Sequence, residues 1–149
     1  MLKITTYSAK QTKEIAYKIG KILSKGELII LTGDLGAGKT TFTQGLAQGM
    51  GITKMVTSPT FTIMKVYKGE LPLYHIDAYR LEGLTQDLGL DEMIDDDGVC
   101  VIEWPVFISD TLPKDYLNID IKRISDDTRS LTFIPKGKEY EKILEVIEL

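Results

Sequence analysis

ELIILTGDLGAGKTTFTQGLAQGMG, Glu27 to Gly51, decides how this chain folds. Its opening, Glu27 to Thr32, is a compact apolar run of the kind found in a strand covered on both faces. Thr40 to Met50 reads as a helix stopped at Gly51. Between them GDLGAGKT, Gly33 to Thr40, fits G-x-x-x-x-G-K-[ST], and it stands where that pattern has physical meaning, after a buried strand and at the start of a helix. Surface packing gives no reason for glycine at Gly33, Gly36 and Gly38 together. A loop whose backbone N–H groups turn inward around phosphate oxygens does.

The chemistry assigns roles along Gly33, Asp34, Leu35, Gly36, Ala37, Gly38, Lys39, Thr40 and Thr41. Lys39 is expected to reach the β and γ phosphates of a nucleotide, and the Thr40 hydroxyl to ligate Mg2+. The free N–H groups and dipole at the helix start favour the anion. The expected ligand is a Mg-nucleotide such as ATP, and the expected fold is α/β, a three-layer sandwich of the P-loop NTPase type with a mixed, mostly parallel central sheet and antiparallel hairpins.

Working outward, Leu2 to Thr6 alternates as a short strand, and Ser8 with Gln11 gives a capping-box signature for a helix carrying Ile15, Ile19, Ile22 and Leu23, ended by Gly26. Thr60 to Tyr67 and Leu71 to Asp77 read as strands of a hairpin around Lys68-Gly69-Glu70, with Gly69 expected at a positive φ. Leu81 to Ile94 has helical spacing, Val99 to Trp104 is another buried strand, and Pro105 breaks it. Tyr116 to Ile124 and Arg129 to Ile134 form a second hairpin turning at Ser125 to Thr128, and Tyr140 to Leu149 closes as an amphipathic helix. With 149 residues, one domain is expected.

The bulk composition narrows the function classes. The apolar share of 43% beside 27% charged residues predicts that the whole chain folds, with no disordered segment. The start, MLKITTYSAKQTKE, lacks the apolar stretch of a signal peptide, and the longest apolar run, Gly98 to Ile108, is too short to span a bilayer, so neither secretion nor membrane insertion is expected. Cys100 is the only cysteine and sits in an apolar strand, which fits a buried thiol and a reducing cytoplasm. Net charge is −4 with the basic residues scattered, so direct, tight nucleic-acid binding is not expected. The acidic triplet Asp95 to Asp97 reads as a solvated helix end.

Two strand-end carboxylates are candidates for Mg2+ and water. Glu103 ends the run VCVIEW, where a Walker B acid belongs; its bland alternative is capping the next turn. Asp77 ends LPLYHID and either orders water, binds the metal through water, or pairs with Arg80 as a structural clasp. His75, the only histidine, shares a strand face with Asp77 and reads as a packing residue without chemistry. Ser58-Pro59-Thr60-Phe61 lies where nucleotide switches sense the γ phosphate, making Ser58 and Thr60 switch candidates against the simpler reading of a rigid Ser-Pro turn. Trp104 suits either core filling or a partner interface.

Taken together, GDLGAGKTT at Gly33 to Thr41, SPTF at Ser58 to Phe61, HIDAYRL at His75 to Leu81 and IEWP at Ile102 to Pro105 resemble, in order and spacing and nearly end to end, the TsaE-type ATPases of bacterial tRNA threonylcarbamoyladenosine biosynthesis. The resemblance implies a cytoplasmic, ATP-hydrolysing accessory subunit. Its partners would be the catalytic threonylcarbamoyltransferase subunit and that subunit's paralogous partner, with any tRNA contact indirect. It also implies that Lys39 and Thr40 contact phosphate and Mg2+, that Glu103 is the magnesium acid, that Asp77 is an activity-linked acid, and that Trp104 faces nucleotide or partner. Residues near Ser8 and Arg129 would lie by the nucleotide base. With only Arg80, Arg123 and Arg129 as arginines, the isolated chain is expected to be a poor ATPase completed by its partners.

Rival readings share the loop. A small-molecule kinase normally recruits several arginines for its acceptor and lid, and this chain has few. A GTPase needs an Asn-Lys-x-Asp tetrad that does not occur here. A non-catalytic, nucleotide-gated binding subunit would use ATP to order Ser58 to Phe61 for docking.

Overall fold

The structure is a computed structural model that describes residues 1–33, 37–57, 64–77, 98–103 and 115–148, with Met64, Asp77 and Glu148 by backbone alone. In chain order its elements are β1 (Leu2–Thr6), α1 (Ala9–Gly20), β2 (Leu28–Thr32), α2 (Lys39–Gly49), β3 (Met64–Tyr67), β4 (Leu73–Asp77), β5 (Val99–Glu103), β6 (Tyr116–Arg123), β7 (Arg129–Lys136) and α3 (Lys138–Glu148). The expected helix over Leu81 to Ile94 and the triplet Asp95 to Asp97 lie outside the described residues.

The strands make one seven-stranded sheet in the order β1-β7-β6-β2-β5-β4-β3. Its centre is parallel, β6 to β2 to β5 to β4, and its flanks are antiparallel, β4 with β3 on one side and β6, β7 and β1 on the other. This is the mixed α/β sheet that the strand pattern predicts. The parallel strands read as continuous apolar runs because both their faces are buried. Ile29, Leu31, Val99, Val101, Leu117, Ile119 and Phe133 pack with Ala16, Ile19, Phe42, Leu46 and Ile143 of the helices. On the other face Leu28, Ile30, Ile76, Cys100 and Ile102 are equally buried, which makes the sheet a middle layer. Burial holds the Cys100 thiol up at about 12, so the buried-thiol reading stands.

Local chemistry explains most element ends. The capping box forms as read: the Gln11 amide donates to Ser8 Oγ at 3.1 Å, and the Tyr7 amide to Gln11 Oε1 at 2.7 Å. Helix α1 ends at Gly20, however, six residues before the Gly26 expected to stop it. Gly20 marks a close approach instead, because a Cβ there would lie 2.1 Å from the Leu46 carbonyl oxygen of α2. Gly26 adopts φ 83° in the turn into β2. The expectation for Gly69 also needs correction: its φ is not in the left-handed region, and glycine is needed because a Cβ would come within 2.8 Å of Ile52 Cγ1. Among the described residues no helix is long and apolar enough to cross a membrane.

Candidate nucleotide-phosphate site

The site grows from the carboxyl end of β2, the central strand, where open parallel sheets present their ligands. Gly33 leaves that strand at φ 147°, and a Cβ on it would sit 2.4 Å from the Ile121 carbonyl oxygen of β6, so the backbone passes there only as glycine. At the far end of the loop Gly38, φ 107°, is the N-cap of α2 and has no side chain to cap the helix. The helix N–H groups beyond it are those an anion would satisfy.

Lys39 opens α2 with its side chain drawn back over the loop: it is 6% exposed, and Nζ donates to the Gly33 carbonyl at 2.6 Å. Burying an ammonium is costly unless charge or polar groups compensate it, and the Gly33 carbonyl is one such group. Thr40 and Thr41 follow half-buried in the first turn. Thr43 Oγ1 bonds back to the Lys39 carbonyl at 3.0 Å, and Gln44 Nε2 donates to the Val56 carbonyl at 2.8 Å, tying α2 to the segment after it. Of the nine loop positions assigned to phosphate, Gly33, Ala37, Gly38, Lys39, Thr40 and Thr41 are brought together here; Asp34, Leu35 and Gly36 lie outside the described residues.

Glu103 ends β5, which pairs with β2 so that Leu31 stands opposite Glu103. The acid is 4% exposed and its Oε1 lies 3.3 Å from His75 Nε2. The backbone of Asp77 pairs with Glu103 in the next strand, so both strand-end acids occupy one level of the sheet; the side chain of Asp77 and the proposed Arg80 clasp lie outside the described residues, as do Ser58, Thr60 and Trp104. The sequence reading missed the His75 contact. The alternation in HID placed His75 on the face of Asp77, but only the β4–β5 register carries that face to Glu103.

Arg129 supplies the loop's outer brace. Its Nε donates to the Ala37 carbonyl at 2.9 Å, while Nη1 donates to the Ser125, Asp126 and Thr128 carbonyls of the β6–β7 turn. With Ala9, Thr12, Gly38, Thr41, Asp126 and Asp127 it lines a recess of about 70 Å³ beside the loop. A Mg-nucleotide fits these residues: the donor set of Thr40 hydroxyl and Glu103 carboxylate is hard oxygen, which suits Mg2+ held by few protein ligands and by phosphate, and the glycine cradle suits the phosphates.

A family model described as threonylcarbamoyl adenosine biosynthesis protein TsaE matches residues 6–131. The tRNA threonylcarbamoyladenosine biosynthesis protein TsaE of Bacillus subtilis (strain 168) is 50% identical over 145 residues, covering 97% of this chain and 92% of that protein. The protein of the same name from Treponema pallidum (strain Nichols) is 41% identical, covering 88% of this chain and 98% of its own. Among solved structures, the crystal structure of YdiB from Bacillus subtilis matches with a TM-score of 0.85 at 45% identity, over 99% of this chain and 93% of that one. With its sheet order, its phosphate loop and a family match spanning most of its length, this chain belongs to the TsaE family.

Proposed function

We propose that this chain binds ATP with Mg2+ and hydrolyses it as an accessory subunit in N6-threonylcarbamoylation of tRNA adenosine 37, acting with the catalytic transferase subunit and its paralogous partner in the cytoplasm. The observation that carries the nucleotide reading is Lys39, an almost fully buried ammonium folded onto the Gly33 carbonyl at the mouth of a glycine loop, with the buried acid Glu103 ending the adjoining strand. The names of relatives that match nearly the whole chain, in tRNA threonylcarbamoyladenosine biosynthesis, support the pathway.

In this reading each residue does electrostatic or positional work, which is what phosphoryl transfer to water demands. Lys39 exchanges its bond to Gly33 for the β and γ phosphate oxygens. The loop amides from Gly33 to Gly38 and the start of α2 hold the phosphates. Thr40 and Glu103 would hold Mg2+, which when bound would supply charge neutralisation for the phosphates. Asp77 is the acid assigned to the attacking water, and Ser58 and Thr60 are the γ-phosphate sensors. Arg129 keeps the loop in shape through Ala37 and is thereby occupied. Arg123 is paired with Asp126 at 2.5 Å. Arg80, the third arginine, lies outside the described residues; with the other two committed and so few in the chain, a partner is proposed to supply transition-state charge, and the isolated chain to turn over slowly.

Phosphate release from ATP, measured for the chain alone and with the transferase subunit pair, tests this. Stimulation of tenfold or more, abolished by Glu103→Ala, supports a partner-completed ATPase. Binding of ATP without stimulation points to the nucleotide-gated subunit, and phosphate appearing on an acceptor other than water to a kinase.

A further inference from the structure

Glu103 does not stand alone at its strand end. His75 lies on β4 opposite Val101 of β5, two residues before Glu103, so the two side chains meet diagonally on one face of adjoining parallel strands. Both are buried, the side chains 0% and 6% exposed, and the imidazole Nε2 is 3.3 Å from Glu103 Oε1. The other ring nitrogen, Nδ1, is buried and has no hydrogen-bond partner among the described residues. Among the described residues that asymmetry favours one tautomer. A proton on Nδ1 would bury an unpaired N–H and would set the Nε2 lone pair against a carboxylate oxygen; a proton on Nε2 removes both faults and donates to Oε1.

We infer that His75 is a positioning residue for magnesium, holding Glu103 by Oε1 so that its second carboxylate oxygen is offered at the sheet end where the phosphate loop begins. This rests on the reading of Glu103 as the magnesium acid and adds the group that orients it. A glutamate has three side-chain torsions, and fixing them costs conformational entropy that a bound metal would otherwise have to supply. The surrounding layer of Leu31, Val101 and Leu73 is apolar and cannot orient a carboxylate. An outer-shell donor of this kind typically alters metal affinity 10- to 100-fold when removed.

The experiment titrates Mg2+ into the full chain with a fluorescent methylanthraniloyl-ADP, and separately measures binding of that nucleotide in EDTA. His75→Leu fills the space without a donor and should weaken the apparent Mg2+ affinity about tenfold while changing metal-free binding less than twofold. His75→Gln, whose amide N–H can reach the same oxygen, should recover most of the loss. Equal metal dependence in His75→Leu and the wild type, with Glu103→Ala strongly impaired, overturns the positioning role and leaves the Glu103 assignment standing. No effect of Glu103→Ala overturns that assignment and the inference together. The wild type gives a test that needs no variant: His75 is the only histidine, so its ring 15N signals are unambiguous. The Nε2–H tautomer, with a shift on adding Mg-ADP, is expected; the Nδ1–H tautomer overturns the proposal.

Discussion

At the amino end of β2, Glu27 accepts from the Ser24 amide, and the Tyr140 hydroxyl of α3 accepts the Leu28 amide at 2.9 Å. At the carboxyl end of the same layer, Lys39 is folded onto a loop carbonyl, Glu103 faces a histidine, and that histidine's other nitrogen has no partner among the described residues. Both ends bury ionisable groups; they differ in how the charge is handled. Burial, reinforced by a hydrogen bond with Glu139 and only partly offset by the Ser24 amide, pushes Glu27 up to about 7. The amino end therefore lowers its cost by keeping a proton. The carboxyl end gathers an ammonium, a carboxylate and helix N–H groups within one loop and strand level, an arrangement that the proposed Mg-nucleotide, an anion with a cation, would suit.

Substitutions at the two ends should separate. The largest effect is expected from Lys39→Ala: isothermal titration should show ATP affinity falling at least ~100-fold, about 2.7 kcal/mol, with little change in melting temperature. Unchanged ATP affinity would mean that the buried ammonium is structural and that the contrast between the ends is not about ligand.

Glu27→Gln should sharpen the other side. A carboxyl whose folded value is raised binds more protons in the folded than in the unfolded state, so its stabilising share is fully present below about 4.5 and is lost as pH rises through about 7. Urea unfolding of the wild type should lose on the order of 2 kcal/mol across that window. Glu27→Gln should flatten that slope and be the more stable form at pH 8, with ATP binding unchanged.

Tyr140→Phe removes the acceptor of a buried amide and should cost about 1–2 kcal/mol in urea unfolding, again without moving nucleotide affinity. The smallest effect is expected for Arg129→Lys, which keeps charge but loses the Nε bond to Ala37: ATP affinity should fall roughly threefold, under 1 kcal/mol, at nearly constant stability. A loss of stability exceeding the loss of affinity would move Arg129 from loop brace to hairpin staple.

Much of this was readable in the sequence because it is encoded locally. Ser8 and Gln11 cap α1 through bonds three and four residues long, the Gly33 to Thr41 spacing places loop and helix together, and the second hairpin turns where Ser125 to Thr128 predicts, with β6 stopping at Arg123 and β7 running on to Lys136. Beside the early end of α1 at Gly20, what differs concerns distances between segments far apart in the chain. Gly20 and Gly69 carry no local signal of a close approach, because the Leu46 carbonyl and Ile52 that crowd them lie 26 and 17 residues away in the sequence.

By itself, then, the sequence determined the α/β class, the glycine loop between strand and helix with its lysine and threonine, and the two strand-end acids, since apolar runs and glycine spacing are properties of neighbouring residues. Only the tertiary structure decided that His75 meets Glu103, that Arg129 braces Ala37, and that Glu27 sits against α3. Strand order and register set those meetings, and register is fixed by side-chain packing across the whole sheet, which no local stretch of sequence contains.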